Sequence, residues 1–211
     1  MVNELIAYCG PAAVPEDVWL RWNTDPVLIA ALAALAYGVA RRATHKNAGW
    51  AAIALMAVVF ISPLCALSSA LFSVRVLHHV ILVSAAAPLL ALAFPQRRAG
   101  VVPLALLVAA HAVALWVWHA PGPYAWGLAT VPGYWLMQLT LLGSAWWMWR
   151  AILANTTPNG SALVALAVTV GQMGLLGALI VFASVPLYPV HFASTLEWGF
   201  TPLSDQQLAG L

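Results

Sequence analysis

Three ionisable side chains lie near the start of an apolar stretch of the sequence, FSVRVLHHVILVSAAAPLLALAFP, residues 72–95. Arg75, His78 and His79 fall within its first two helical turns. Ionisable residues inside membrane segments are functional candidates, and neutral imidazole is the commonest protein ligand of metals. The pattern therefore indicates either hydrogen bonding at a membrane interface, or binding of a metal or of a partner's prosthetic group.

The other histidines fall at separate places along the chain. His119, in WHAPGPY, ends another apolar run before a proline that stops the helix, so it is either a cap or a ligand. His191 lies in the polar C-terminal segment. His111, two turns before His119, is expected to bond a neighbouring helix or to extend a polar path toward His119. His45 lies in a basic loop and is expected to be solvated.

Sulfur side chains are the soft ligands that Cu(I) prefers. The sequence has no M-x-x-M or C-x-x-C cluster. Met56 and Met173 are interpreted as packing residues, whereas Met137 lies near one end of an apolar run. Cys9 and Cys65 are expected on the same side of the membrane, where they could pair, bind a metal, or act as a free thiol and a packing residue.

The composition excludes a water-soluble globule. Hydrophobic residues make up 64% of the 211 residues and charged residues only 7%, against about 25% charged in soluble domains. The net charge of +2 comes without a long basic block, so nucleic acid is not an expected partner. Apolar runs of about 20 residues cross a bilayer. The sequence therefore predicts an all-α, polytopic transmembrane helix bundle.

Six membrane spans are predicted. Residues 1–25 form an N-terminal tail, residues 26–184 form the helix bundle, and residues 185–211 form a tail that leads into an incomplete further span. The predicted spans are Pro26–Ala40, Trp50–Leu67, Val76–Phe94, Val101–Trp118, Tyr134–Trp149 and Ala162–Ser184. Gly171, Gly174 and Gly177 in the last span indicate close helix approach, and Ser204 or Asp205 is expected to cap the helix that follows.

Basic residues of short loops face the cytoplasm. One set of loops carries Arg41, Arg42, Lys46, Arg97, Arg98 and Arg150. The other side carries the acidic residues Glu4, Glu16, Asp17, Asp25, Glu197 and Asp205. The sequence therefore predicts an extracytoplasmic N-terminus, with four histidines gathered at the outer side: His78, His79, His119 and His191.

Four segments, in the same order, are shared with a known family: WNTDPVLI, FSVRVLHHVILVSAAAPLLAL, WHAPGPYAWGL and PLYPVHFA with GFTPLSDQQLAGL. The sequence resembles the CtaG family (caa3-type) of polytopic cytochrome c oxidase assembly factors. The resemblance implies a non-enzymatic, multi-pass protein of the bacterial inner membrane. It implies that subunits of a haem–copper terminal oxidase and the lipid bilayer are its partners, and that copper is handled at the extracytoplasmic side.

The positions that match the family pattern are His79, His119, Asp205 and Gln206. With the outer histidine of the tail added, the predicted copper site consists of His79, His119, His191 and Asp205. The residues expected to contact a partner are Arg75, His78, Trp118, Tyr124 and Gln206.

The chain departs from the family pattern at three places. Arg75 stands where the family has a histidine, Met137 and Gln138 stand where it has a glutamate–histidine pair, and the family continues into a seventh span. Arg75 could instead pair with an acidic group or a haem propionate of a partner. These departures leave a second hypothesis open, a non-catalytic accessory subunit or scaffold of a respiratory oxidase. A third hypothesis is a haem-binding electron carrier, for which His111 lacks a clear partner at its depth.

Overall fold

The computed structural model describes residues 8–96 and 100–211. The described residues are all-helical: 76% of them lie in helices and none in a strand. Arg97 and Arg98 of the predicted basic loop, and Glu4 of the tail, lie outside the described residues. The α-helices of the described part are α1 (Pro26–Arg42), α2 (Lys46–Phe60), α3 (Leu64–Ala70), α4 (Phe72–Ile81), α5 (Ala87–Ala93), α6 (Leu104–His119), α7 (Pro121–Ala129), α8 (Val131–Ile152), α9 (Asn159–Phe182), α10 (Phe192–Glu197) and α11 (Pro202–Gly210).

The segment before α1 is fixed at two points. The Asp25 carboxylate caps α1 by accepting from the Val27 N–H at 2.8 Å, and the Tyr8 hydroxyl donates to the same carboxylate. Cys9 and Cys65 form a disulfide, with 5.4 Å between their Cα atoms. Of the alternatives open for these cysteines, the structure therefore has the pair, which ties the N-terminal segment to α3.

Helices α4 and α5 form one apolar rod, Phe72–Ala93, which begins one turn before the predicted third span. A π-helical turn, Leu82–Ala86, joins them. Pro88 follows this turn, and a proline has no N–H to give to the preceding turn. The Val83 carbonyl accepts instead from the Trp149 indole N–H of α8 at 3.0 Å. The irregular turn thus fixes α8 against the rod.

Within residues 8–96 and 100–211, two helices are long and apolar enough to cross a membrane, Phe72–Ala93 and Asn159–Phe182. Two bent pairs would raise that number to four. The predicted second span, Trp50–Leu67, is broken where α2 ends and α3 begins with a bend of 47°, and Pro63 lies in that break. Helices α6 and α7 meet at 77°, where Pro121 begins α7. Six spans remain a prediction.

The core lies around α8, whose inward face contributes Tyr134, Met137, Leu141 and Ala145, all without exposed surface. This face packs against α5, α6 and α7. By contrast, most of the apolar surface of α9 is exposed, and α9 packs along α11. The C-terminal helix α11 in turn reaches α4. The ends of α4, α6, α9 and α11 are therefore brought to one place.

Candidate functional site

His79 of α4 and His119 at the end of α6 face one another inside the bundle. Their ring centroids lie 5.5 Å apart, edge to face, and both side chains are buried. His78 points elsewhere and packs edge to face on Phe60 at 5.1 Å. This separation follows from the helix, since consecutive side chains point about 100° apart. The structure thus brings together two of the four predicted copper ligands.

The hydrogen bonds of His79 and His119 determine which of their ring nitrogens carries a lone pair. The Nδ1 atom of His119 lies 2.7 Å from the Leu115 carbonyl oxygen, which can only accept, so Nδ1 carries the proton. The Nε2 atom of His119 therefore keeps its lone pair, the arrangement in which a backbone carbonyl orients a metal-binding imidazole. The Nε2 atom of His79 lies 3.4 Å from the Gln138 amide nitrogen, which can only donate. This Nε2 is therefore the acceptor, and the buried, unpartnered Nδ1 of His79 carries the proton.

A cavity of about 250 Å³ lies beside these two rings. Helices α4, α6, α9 and α11 enclose it, and Met173 of α9 lines it together with His79 and His119. The sequence interpretation assigned Met173 to packing. The sequence around Met173, GQMGLLG, shows only a long sulfur-containing side chain among small residues. Which residues Met173 contacts depends on how α9 packs in the fold.

Asp205 has a different role from a ligand of this cavity. Its carboxylate accepts from the Phe72 N–H at 2.7 Å and the Ser73 N–H at 3.2 Å, and also from the Ser73 hydroxyl. It therefore caps α4 from another helix. The sequence predicts Ser204 or Asp205 as the cap of α11. Ser204 takes part in that cap, as the reciprocal partner of the N-cap residue Thr201, whereas Asp205 caps α4 instead.

His191 lies beside Asp205 rather than beside the other histidines. Both line a void of only about 10 Å³. The Tyr124 hydroxyl lies 2.6 Å from His191 Nε2. Burial, helped by the positive charge of Arg75, lowers the pKa of His191 to about 3. His191 is therefore neutral at physiological pH and accepts from Tyr124.

Within the part of the chain that the structure describes, no three His, Cys, Asp or Glu side chains converge on a point that could hold a metal. The four predicted ligands separate into His79 with His119, and His191 with Asp205. The first pair lies beside a cavity and has a free Nε2 on His119, whereas Nε2 of His191 and the carboxylate of Asp205 already have protein partners.

The residues expected to contact a partner are all buried: Arg75, His78, Trp118, Tyr124 and Gln206. Gln206 holds α11 to the end of α9, because its side chain accepts from the Leu187 N–H at 2.6 Å and donates to the Ile180 carbonyl at 3.2 Å. His111 bonds the Ser144 hydroxyl of α8 at 3.0 Å, which is one of the two roles expected for it.

Arg75 is a fully buried cation. Its Nε donates to the Ser68 carbonyl at 3.1 Å, and its guanidinium lies 5.4 Å from the Tyr134 ring centroid. The two terminal nitrogens have no hydrogen-bond partner among the described residues. Cation–π contact stabilises a desolvated guanidinium. In this conformation no partner's carboxylate or propionate reaches it, since Arg75 has no exposed surface.

The family model described as cytochrome c oxidase caa3 assembly factor (Caa3_CtaG) matches residues 97–211, which is more than half of the chain. This region contains His119, Met173 and the whole of α11. Neither a curated protein nor a solved structure matches the chain.

Proposed function

The chain belongs to the family of cytochrome c oxidase caa3 assembly factors, and from that membership we propose that it assists copper insertion into a haem–copper terminal oxidase. In this proposal Cu(I) is a cargo and the protein is not an enzyme. The observation that carries the proposal is the cavity that His79, His119 and Met173 line together.

The side chains of the cavity suit Cu(I). Thioether sulfur is a soft ligand selective for Cu(I), and imidazole also suits copper. The nitrogens that would bind copper are Nε2 of His119, set by its bond to Leu115, and Nε2 of His79, which becomes free when its 3.4 Å contact with the Gln138 amide opens. Three neutral ligands hold a monovalent cation without adding a negative charge to a buried site. Copper that is a cargo must also be released. Because His79, His119 and Met173 lie on three separate helices, a shift of one helix would separate the ligands.

We place the cavity toward the extracytoplasmic side of the bacterial inner membrane, in a multi-pass bundle of six spans. The distribution of basic residues supports this orientation. The Cys9–Cys65 disulfide also supports it, because disulfides persist in oxidising compartments such as the periplasm. The oxidase subunits that receive copper are then the partners at that face.

Complementation of a deletion strain tests this function. We expect the wild-type chain to restore oxidase activity and the copper content of the purified oxidase. A variant with His79→Ala and His119→Ala should be present in the membrane at normal amounts and restore neither. His45→Ala removes an exposed histidine from the opposite end of the bundle and should behave as wild type. If the double variant restores both activity and copper, the cavity is not the copper site.

A second candidate function is a non-catalytic accessory subunit of a respiratory oxidase. It is favoured by the departures from the family pattern, since Gln138 lies against His79 where a stronger ligand is expected, and Arg75 adds a positive charge nearby. This function predicts stoichiometric copurification with the mature, metal-loaded oxidase. Copurification with immature subunits alone would favour the assembly factor.

A further inference from the structure

Two buried N–H donors without a partner lie one turn apart on α8. They are Nε1 of Trp146 and Nε of Arg150. The guanidinium of Arg150 stacks over the Trp146 ring at 4.9 Å from its centroid. Buried donors in native structures nearly always have an acceptor. Two such donors lie side by side, one of them on a cation, and the described residues supply no acceptor for either.

Both side chains line a groove of about 550 Å³ whose other walls are apolar. Leu35 of α1, Leu90 of α5 and Leu139 and Leu142 of α8 form those walls. From Leu139 to Arg150 the groove follows α8 for about 16 Å at 1.5 Å per residue. That is roughly half of the about 30 Å hydrocarbon core of a bilayer. The groove therefore has the length of one leaflet, with its cation at one end.

The end of the bundle that holds Arg150 is also the basic end. Arg41 and Arg42 close α1 and Lys46 begins α2 at this end, where the Thr44 N–H bonds the last turn of α5. The acidic residues of the described chain lie in the segments before α1 and after α9: Glu16, Asp17, Asp25, Glu197 and Asp205. Basic pockets between membrane helices bind anionic lipid headgroups, so the charge pattern selects an anionic occupant.

We propose that the groove between α1, α5 and α8 binds one anionic phospholipid, with an acyl chain along Leu139 and Leu142 and its phosphate on the terminal guanidinium nitrogens of Arg150, which stacks on Trp146. The phosphate oxygens accept from the guanidinium, which also supplies the opposite charge. Nε of Arg150 and Nε1 of Trp146 are buried and become available to the phosphate only if these side chains turn toward the groove. A zwitterionic lipid fits the apolar wall equally well but adds its own cation at the Arg150 end. The site is therefore selective by headgroup.

Lipid binding by the detergent-purified full chain tests the site. We would titrate dioleoyl phosphatidylglycerol and dioleoyl phosphatidylcholine, and follow bound lipid by native mass spectrometry. The wild type should bind the anionic lipid at least about tenfold more tightly, as expected for a charge-assisted hydrogen bond. Arg150→Gln should remove that preference, and Trp146→Phe should reduce it, because the smaller ring holds the Arg150 guanidinium less firmly.

Arg42→Gln is the matched control, because Arg42 is an exposed basic residue at the same end that does not line the groove. It should leave the preference within about twofold of the wild type, as expected for an exposed charge. Equal losses in Arg42→Gln and Arg150→Gln would show diffuse attraction to the surface and overturn the site. If inorganic phosphate alone bound as tightly as the anionic lipid, the proposal would also be overturned, because the apolar groove would then contribute nothing to lipid binding. If Arg150→Gln does not fold, an unchanged preference in Trp146→Phe overturns the proposal.

Discussion

His78 and His79 are neighbours in sequence, yet they have different surroundings. His78 packs on Phe60 and His79 faces His119. The helical spacing alone predicts this divergence, and the sequence also predicts that His79 and His119 converge. What it could not predict is Met173, because its place in the cavity depends on how α9 packs against α4 and α6. Residue type identified the histidine pair, whereas three-dimensional packing identified the sulfur.

Met173→Leu tests the sulfur ligand. Leucine keeps the volume of the side chain, so the fold should be maintained at a cost below about 1.5 kcal/mol. Loss of the thioether should weaken Cu(I) binding about tenfold, measured by competition with a Cu(I) chelator, because thioether is the soft donor of the set. Met148→Leu is the control, since Met148 is buried against other residues. Equal affinities for wild type and Met173→Leu would remove Met173 from the site.

Asp205→Asn tests the cap of α4. The amide keeps one acceptor oxygen but loses the charge that binds two N–H groups and a hydroxyl. We expect the free energy of unfolding to fall by about 2 kcal/mol, as for the loss of a buried cap. Denaturation of the purified protein measures this difference. Glu197→Gln, on an exposed carboxylate, should change stability little; a comparable loss there would contradict the role assigned to Asp205.

Helices α9 and α11 approach closely because both have a glycine at the crossing. A Cβ atom built on Gly177 would lie 2.8 Å from the Gly210 carbonyl oxygen, a backbone atom that cannot move aside easily. The glycines of GQMGLLG indicated close approach from the sequence, but not which of them makes the contact. Gly171 and Gly174 have nothing within 4 Å of such a Cβ.

Gly177→Ala should therefore destabilise the protein by about 1–3 kcal/mol, the usual cost of overpacking. Gly171→Ala is the matched control on the same helix, and it should be neutral or stabilising by up to about 1 kcal/mol through helix propensity. Thermal unfolding in detergent compares the two variants. If both alanines had the same effect, the close crossing of α9 and α11 would be contradicted.

The helices could be predicted from the sequence more reliably than their breaks. The predicted spans Pro26–Ala40, Tyr134–Trp149 and Ala162–Ser184 each correspond to one helix, with ends shifted by a few residues. Pro63 breaks the second predicted span. The bend there comes from the restricted backbone of proline, which a hydropathy profile does not register. The capping of α4 by Asp205 could not be predicted either, because Asp205 and the Phe72 N–H that it accepts from are 133 positions apart in the sequence.

Charge and disulfide chemistry give the whole molecule a polarity. Arg41, Arg42 and Lys46 lie at one end of the bundle, and the Cys9–Cys65 disulfide lies with the N-terminal segment at the other. The basic end suits anionic headgroups, and the disulfide suits an oxidising compartment. Both features favour an extracytoplasmic N-terminus. In that orientation the proposed copper cavity and the proposed lipid groove would lie in opposite leaflets.

Cysteine labelling in intact cells tests this orientation. In a background with Cys9→Ser and Cys65→Ser, a membrane-impermeant maleimide should label Glu16→Cys before lysis, since Glu16 is exposed in the N-terminal segment. His45→Cys, exposed at the basic end, should be labelled only after lysis. The reverse pattern would invert the bundle and place the copper cavity toward the cytoplasm.

Cu(I) binding to the detergent-purified protein is the most direct test of the central claim, that His79 and His119 hold copper in the cavity beside Met173. We predict one Cu(I) per wild-type chain, bound tightly enough to compete with a chelator. Binding should be absent when His79→Ala and His119→Ala are combined, and retained in His45→Ala. No binding by the wild type, or equal binding by wild type and double variant, would contradict the claim and return the two histidines to a structural role.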